Sequence, residues 1–198
     1  MQQQIHIPEA DTRAHFWLVV MGVSGCGKSS LGAALATSLA LPLIEGDDFH
    51  PQRNVEKMSA GVPLTDADRE GWLDTLGRTL AGAPQGAVLT CSALKRDYRD
   101  RLRAHVPALH FVFMSLDRDE AERRVAARAS HHMFPASLVA DQFATLQPPS
   151  GERDVLTVQA TAPLPELVTE TGNWLAEIKA ASEGASASAN ARPVPDLP

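Results

Sequence analysis

Two cysteines, one tyrosine and 5% aromatic residues are all that this 198-residue chain has of the side chains that staple or furnish small disulfide-rich folds. Cys26 and Cys91 show no metal-ligand spacing, so neither a disulfide framework nor a zinc site is indicated. No apolar run approaches the ~18 residues that a membrane-spanning helix needs. The opening Met1-Gln2-Gln3-Gln4-Ile5-His6 lacks the basic and apolar regions of a secretory signal, so a cytoplasmic protein without a membrane partner is expected. Positive charge is scarce too: 18 Lys+Arg against 24 Asp+Glu leave a net charge of −6, which argues against a nucleic-acid partner. Internal repeats are absent. What remains is a chain of one-domain length, 44% hydrophobic, large enough to bury a core without covalent help.

The most informative stretch is Gly22-Val23-Ser24-Gly25-Cys26-Gly27-Lys28-Ser29-Ser30. It follows the apolar run 16–21 and opens an Ala- and Leu-rich helical stretch, the strand-loop-helix context that the G-x-x-x-x-G-K-[ST] phosphate loop requires. Glycines let the backbone curl so that successive N–H groups and the positive helix end face a polyphosphate. In that reading Lys28 reaches the β- and γ-phosphates of ATP and Ser29 ligates Mg²⁺. Cys26 reads first as a small filler, with oxidation sensitivity as the alternative.

Residues 1–14 read as a flexible arm. From residue 16 onward, short apolar runs alternate with amphipathic stretches, the pattern of a parallel sheet with crossover helices. Strands are predicted at 16–21, 41–45, 87–91, 109–114 and 155–158. Helices are predicted at 28–39 and 54–60, from the Thr65 cap to Gly82, after a Ser92 cap, and at 119–129, 137–146 and 164–180. The Ala-, Ser- and Pro-rich residues 181–198 are expected to be disordered. The domain is thus 15–180, with a lid at about 128–145.

In an open parallel sheet, ligands bind beyond the carboxyl ends of the strands, so Glu45, Asp47, Ser92 and the glycine loop should line one crevice. Asp47 is placed to accept the proton of an attacking hydroxyl and Glu45 to hold a Mg²⁺-bound water, while Asp48 reads as a solvated turn residue. His50 is either a substrate contact or a loop residue fixed against Pro51. Arg53 and Lys57 lie one helical turn apart and suit an anionic acceptor or a surface pair. Arg69 is poorly placed for the helix dipole, which favours a ligand or a carboxylate partner. Lys95 and Arg99 follow the third strand and are the better substrate candidates among nine clustered cations. Arg124 and Arg128 suit a lid closing over the γ-phosphate, with Arg124 pairing with Glu120 as the alternative. His131 and His132 do not make a metal site by themselves. A guanine-nucleotide switch is disfavoured because N-K-x-D is missing and Cys91-Ser92 stands where D-x-x-G would be.

Taken together, Met21 to Ser29, Glu45-Gly46-Asp47-Asp48-Phe49-His50-Pro51, Asn54 with Lys57-Met58, Gly61-Val62-Pro63-Leu64-Thr65-Asp66-Ala67-Asp68-Arg69 with Trp72-Leu73, and Cys91-Ser92-Ala93-Leu94-Lys95 with Tyr98-Arg99 resemble the gluconate kinase family. Phe134, Gln142-Phe143 and Leu146-Gln147-Pro148 extend the resemblance over about residues 16–178. It implies ATP- and Mg²⁺-dependent phosphorylation of D-gluconate to 6-phospho-D-gluconate by a homodimer. It also implies the nucleoside-monophosphate-kinase-like P-loop fold shared with shikimate kinase, a three-layer α/β/α unit with a five-stranded parallel sheet and a mobile lid. The chain departs from the family pattern at Glu45, where Asp is expected, at Met114-Ser115-Leu116-Asp117, where Gly-Asp is expected, and at His131-His132-Met133-Phe134 in the lid. Other readings are a kinase for another small hydroxy acid such as shikimate, or a nucleotide-dependent binding or regulatory protein.

Overall fold

The computed structural model describes residues 15–127 and 137–190. The expected N-terminal arm, Arg128 with the rest of 128–136, and 191–198 lie outside these described residues. The elements are β1 (Phe16–Met21), α1 (Lys28–Leu39), β2 (Leu43–Glu45), a 3₁₀ turn (Gly46–Phe49), α2 (Gln52–Ser59), α3 (Asp66–Ala81) and β3 (Gly86–Thr90). They continue with α4 (Arg96–His105), β4 (Leu109–Ser115), α5 (Arg118–Ala127), α6 (Ser137–Thr145), β5 (Val155–Gln159) and α7 (Leu164–Asn190). All strand pairs are parallel, in the order β2-β3-β1-β4-β5, so the expected α/β class and five-stranded sheet are observed.

Strand periodicity builds two cores. In β1, Leu18 and Val20 point to one face and Val19 and Met21 to the other, all fully buried. The first face packs with Leu31 and Leu35 of α1 and Leu167 and Leu175 of α7. The second packs with Trp72, Leu73, Leu76 and Leu80 of α3 and with Tyr98 and Leu102 of α4. Each buried leucine contributes about 1.5–3 kcal/mol of hydrophobic stabilisation. Helices on both faces make the three-layer unit.

Register brings the strand ends together. Val20 pairs with Thr90 and with Val112, and Glu45 pairs with Thr90. The chain reverses its winding on either side of β1, so the loop after β1 opens at the switch point of the sheet, where a ligand crevice is expected.

Two boundaries differ from expectation for identifiable reasons. Ser92 does not cap a helix: Ala93 takes a left-handed φ of 42°, and α4 begins only at Arg96. The cap comes instead from a distant residue, since the Arg96 backbone N–H donates to Gln147 Oε1 at 2.9 Å. The last helix runs past Ala180 to Asn190, through a segment with alanine at 181, 185, 187 and 189, the strongest helix former.

Candidate active site

The loop after β1 is shaped by its glycines. Gly27 holds a left-handed φ of 99° as the residue before α1, and no side chain caps that helix, so its first N–H groups stay turned toward the loop. Lys28 folds over the same loop, its Nζ donating to the Val23 carbonyl at 3.1 Å. Cys26 is buried in the first core, packing as a filler. Cys91 is buried as well, and burial pushes its thiol pKa up to about 12, leaving it a thiol at neutral pH.

Ser29 Oγ donates to Glu45 Oε2 at 3.2 Å, and Thr90 Oγ1 donates to the same carboxylate oxygen. The second contact follows from register, because Thr90 and Glu45 are cross-strand partners. A hydroxyl and a carboxylate are the hard oxygen donors that Mg²⁺ prefers. Among the described residues no group of three or more His, Cys, Asp or Glu forms a metal cage.

Beyond Glu45 the turn is held from below. A Cβ on Gly46 would stand 2.3 Å from the Thr90 carbonyl oxygen, so only glycine lets the turn lie this close to β3. The Gly46 carbonyl accepts from Trp72 Nε1 at 2.8 Å. Asp47 then projects into a cleft of about 320 Å³ with an 80% exposed side chain. His50 lies behind it, 5% exposed, stacked on Trp72 with ring centroids 4.1 Å apart.

The cleft is lined by Ser24, Lys28, Ser29, Glu45, Asp47, His50, Arg69 and Ser92 among the residues singled out from sequence, and by Asp48, which was read as a solvated turn residue. Arg69 is anchored by the Leu64 carbonyl and lies 5.7 Å from the Tyr98 ring centroid. Lys95 is not among the cleft's lining residues and is paired at 2.7 Å with Asp66, which also accepts from the Tyr98 hydroxyl. Lys95 thereby leads the interactions that hold the Asp66 carboxyl below its ordinary range.

Other candidates are not brought to the cleft. Arg99 is fully buried: its guanidinium engages Glu152 and donates to the carbonyls of Ala93 (2.9 Å), Leu94 (3.2 Å) and Gln147 (3.1 Å). It clamps the segment after α6 to the segment after β3 and has no donor left for a substrate. Its position one turn into α4, which faces the second core, explains the difference. Lys57 bonds both oxygens of Asp68 at 2.8 Å, and Asp68 also closes the Thr65 capping box. Arg53 is exposed on α2, outside the cleft lining. Arg124 takes the alternative weighed for it, bonding Glu120 at 2.6 Å and the Ala160 carbonyl at 3.1 Å. Arg128 lies outside the described residues.

Within the lid expected at about 128–145, the sequence singled out only Arg128 as a contact. Leu138, Asp141, Gln142 and Thr145 of α6 line the cleft too, as do Met58, Pro63, Leu64 and Trp72. Gln142-Phe143 and Trp72-Leu73 carry a family signal without a role, and Trp72 also packs in the second core.

A family model described as an AAA domain matches residues 18–149. A gluconokinase of Gluconobacter oxydans is 49% identical over 146 residues, 72% of this chain and 81% of that protein. The thermoresistant gluconokinase of Escherichia coli is 41% identical over 161 residues, covering 79% of this chain and 91% of its own length. The crystal structure of a gluconokinase from Sinorhizobium meliloti superposes with a TM-score of 0.80 at 43% identity, over 88% of this chain and 99% of that one. Identity at this level, spread over most of both chains and carried on the same sheet, makes this chain a member of the gluconokinase family.

Proposed function

We propose that this chain transfers the γ-phosphoryl group of ATP to the 6-hydroxyl of D-gluconate, giving 6-phospho-D-gluconate and ADP. Membership in the gluconokinase family carries the reading, and the cleft's chemistry fits it. Gluconate is a polyhydroxy carboxylate. A cation such as Arg69 suits its carboxylate, and Asp47, His50 and Ser92 offer the mixed donors and acceptors its hydroxyls need.

The loop N–H groups and Lys28 hold the nucleotide's phosphates, and Arg128 belongs with them as a lid cation. The carboxylate of Asp47 takes the proton of the acceptor hydroxyl as that oxygen attacks the γ-phosphorus, and ADP leaves in line. Mg²⁺, held through Ser29 and Glu45, neutralises phosphate charge when bound. Thr90 keeps Glu45 turned toward Ser29. Leu138 and Thr145 on α6 help to shield the reacting atoms from water. We take the enzyme to be a homodimer, as the family resemblance implies, and cytoplasmic, as its opening residues suggest. The described residues contain no helix long and apolar enough to cross a membrane.

A coupled ADP-release assay over D-gluconate, other sugar acids, shikimate and nucleoside monophosphates tests the reading. ADP release that depends on gluconate is expected. A response to another acceptor with none to gluconate overturns the substrate, and light scattering of the eluted enzyme reads the oligomer.

A further inference from the structure

Asn54 is fully buried on α2, yet its amide is only partly satisfied. Nδ2 donates to the Asp68 backbone carbonyl at 2.8 Å, while Oδ1 has no hydrogen-bond partner. Leaving a buried acceptor unmatched is destabilising, so packing alone is a poor reason for an asparagine here. The Asp68 carbonyl can only accept, which fixes the orientation of the amide. Its nitrogen therefore also faces His50 Nδ1, 3.5 Å away. A ring nitrogen facing an NH₂ group must be the acceptor, so the proton of the neutral imidazole sits on Nε2. Nε2 is the nitrogen that lies 4.0 Å from Asp47 Oδ1.

Trp72 completes the holder. Its ring stacks on His50 at an interplanar angle of 16°, and its Nε1 bonds the carbonyl of Gly46, the residue before Asp47. One indole thus sets both the plane of the imidazole and the position of the turn that carries the carboxylate.

We propose that Asn54 and Trp72 are positioning residues that hold His50 neutral, with its Nε2–H turned toward Asp47 but beyond hydrogen-bond reach at 4.0 Å, so that no imidazolium faces the proton acceptor. The assignment of a base role to Asp47 rests on the kinase reading above. An imidazolium at this distance would stabilise the carboxylate and weaken it as a base, whereas a neutral ring adds no charge beside it. The charged groups facing His50 are Asp47 on its own turn and Arg69 on α3. The Asp68 carboxylate is engaged by Lys57 and Thr65 and presents only its backbone carbonyl to this cluster. Burial holds the His50 pKa below its ordinary value, with Asp47 opposing and Arg69 reinforcing the shift.

Long-range ¹H–¹⁵N correlation spectra of the labelled full-length protein read the tautomer directly, with the His50 signals identified by their loss in His50→Gln. A protonated Nε2 and a bare Nδ1 are expected at pH 7, persisting to below the ordinary histidine value of about 6.5. In Asn54→Asp a carboxylate accepts from Nδ1, so His50 should become doubly protonated at higher pH than in the wild type. The kcat profile of that variant should gain an acid limb that follows this titration. A wild-type Nδ1–H tautomer, a charged His50 at pH 7, or an Asn54→Asp titration no higher than wild type overturns the proposal. Trp72→Phe serves where Asn54→Asp fails to fold: it keeps a stacked ring, loses the bond to Gly46, and should lower kcat, by less than the ~10²–10⁴-fold expected for losing the base itself. Unchanged kcat in Trp72→Phe removes Trp72 from the assignment. The tautomer is read without substrate, so a protein with the Nε2–H form that phosphorylates a different acceptor removes the gluconate reading and supports this one.

Discussion

Gln142 Oε1 accepts a hydrogen bond from the Ser24 backbone N–H at 2.6 Å, joining two residues 118 apart in sequence. Ser24 belongs to the loop whose N–H groups are suited to phosphate, so the glutamine carbonyl and a phosphate oxygen compete for one donor. Gln142→Ala should bind ATP and ADP more tightly, by about fivefold for one hydrogen bond worth about 1 kcal/mol. Titration with a fluorescent ATP analogue measures this. Weaker binding would make Gln142 a contributor to the nucleotide site instead of a competitor.

Asp47 reaches into the cleft from a turn that Trp72 and Thr90 hold without touching its carboxylate. Asp47→Asn should therefore keep the fold and nucleotide affinity while kcat falls about 10²–10⁴-fold, the usual range for losing a general base. Wild-type turnover in that variant would remove Asp47 from the chemistry.

Thr90 is the neighbour that orients Glu45 toward Ser29. Thr90→Val keeps shape and β propensity but leaves the carboxylate without that donor. The Mg²⁺ concentration for half-maximal activity should rise about tenfold, as losses of outer-shell partners commonly do. An unchanged Mg²⁺ activation curve would separate Glu45 from the metal.

Arg99, the burial of the carboxyl opposing it, and then Arg103 together set the Glu152 pKa below its ordinary value. A depressed folded-state pKa means the unfolded chain takes up the proton first. The stabilisation is complete above about pH 4.3, the ordinary glutamate value, and is lost as the pH falls through the lower folded value. Glu152→Gln should flatten this acid loss in urea melts between pH 7 and pH 3. At pH 7 it should cost about 3–5 kcal/mol, because Arg99 is left buried without its counter-charge. Arg99→Met should likewise lower Tm while leaving gluconate KM near wild type. A large rise in KM would return Arg99 to the substrate site.

The donor half of the site was legible because it is local. Gly22 to Ser29 carries its function in contiguous backbone, bounded by an apolar run and a helical stretch, so spacing alone identifies it. The same holds for Thr65 and Asp68, a capping box confined to four neighbouring positions. The near-continuous apolar runs at 16–21 and 109–114 likewise mark strands buried on both faces, and their alternation with amphipathic stretches gives a parallel sheet with helices on both sides.

The acceptor half depended on distance in space. Arg99 and Lys95 look alike in sequence, and only the packing of α4 sends one into the interior against Glu152 and the other toward Asp66. Arg69 and Arg124 were equally open to a carboxylate partner; the first lines the cleft and the second pairs with Glu120. The wall of α6 arrives from beyond residue 136 and meets the glycine loop through Gln142. The residues themselves therefore declare a phosphate loop, a strand count and an acidic turn, because backbone geometry and periodicity are short-range. Which cations face the acceptor, which amide meets the loop and which indole holds Asp47's turn are settled by contacts between segments far apart in the chain, made only when the sheet closes its register and the helices pack onto it.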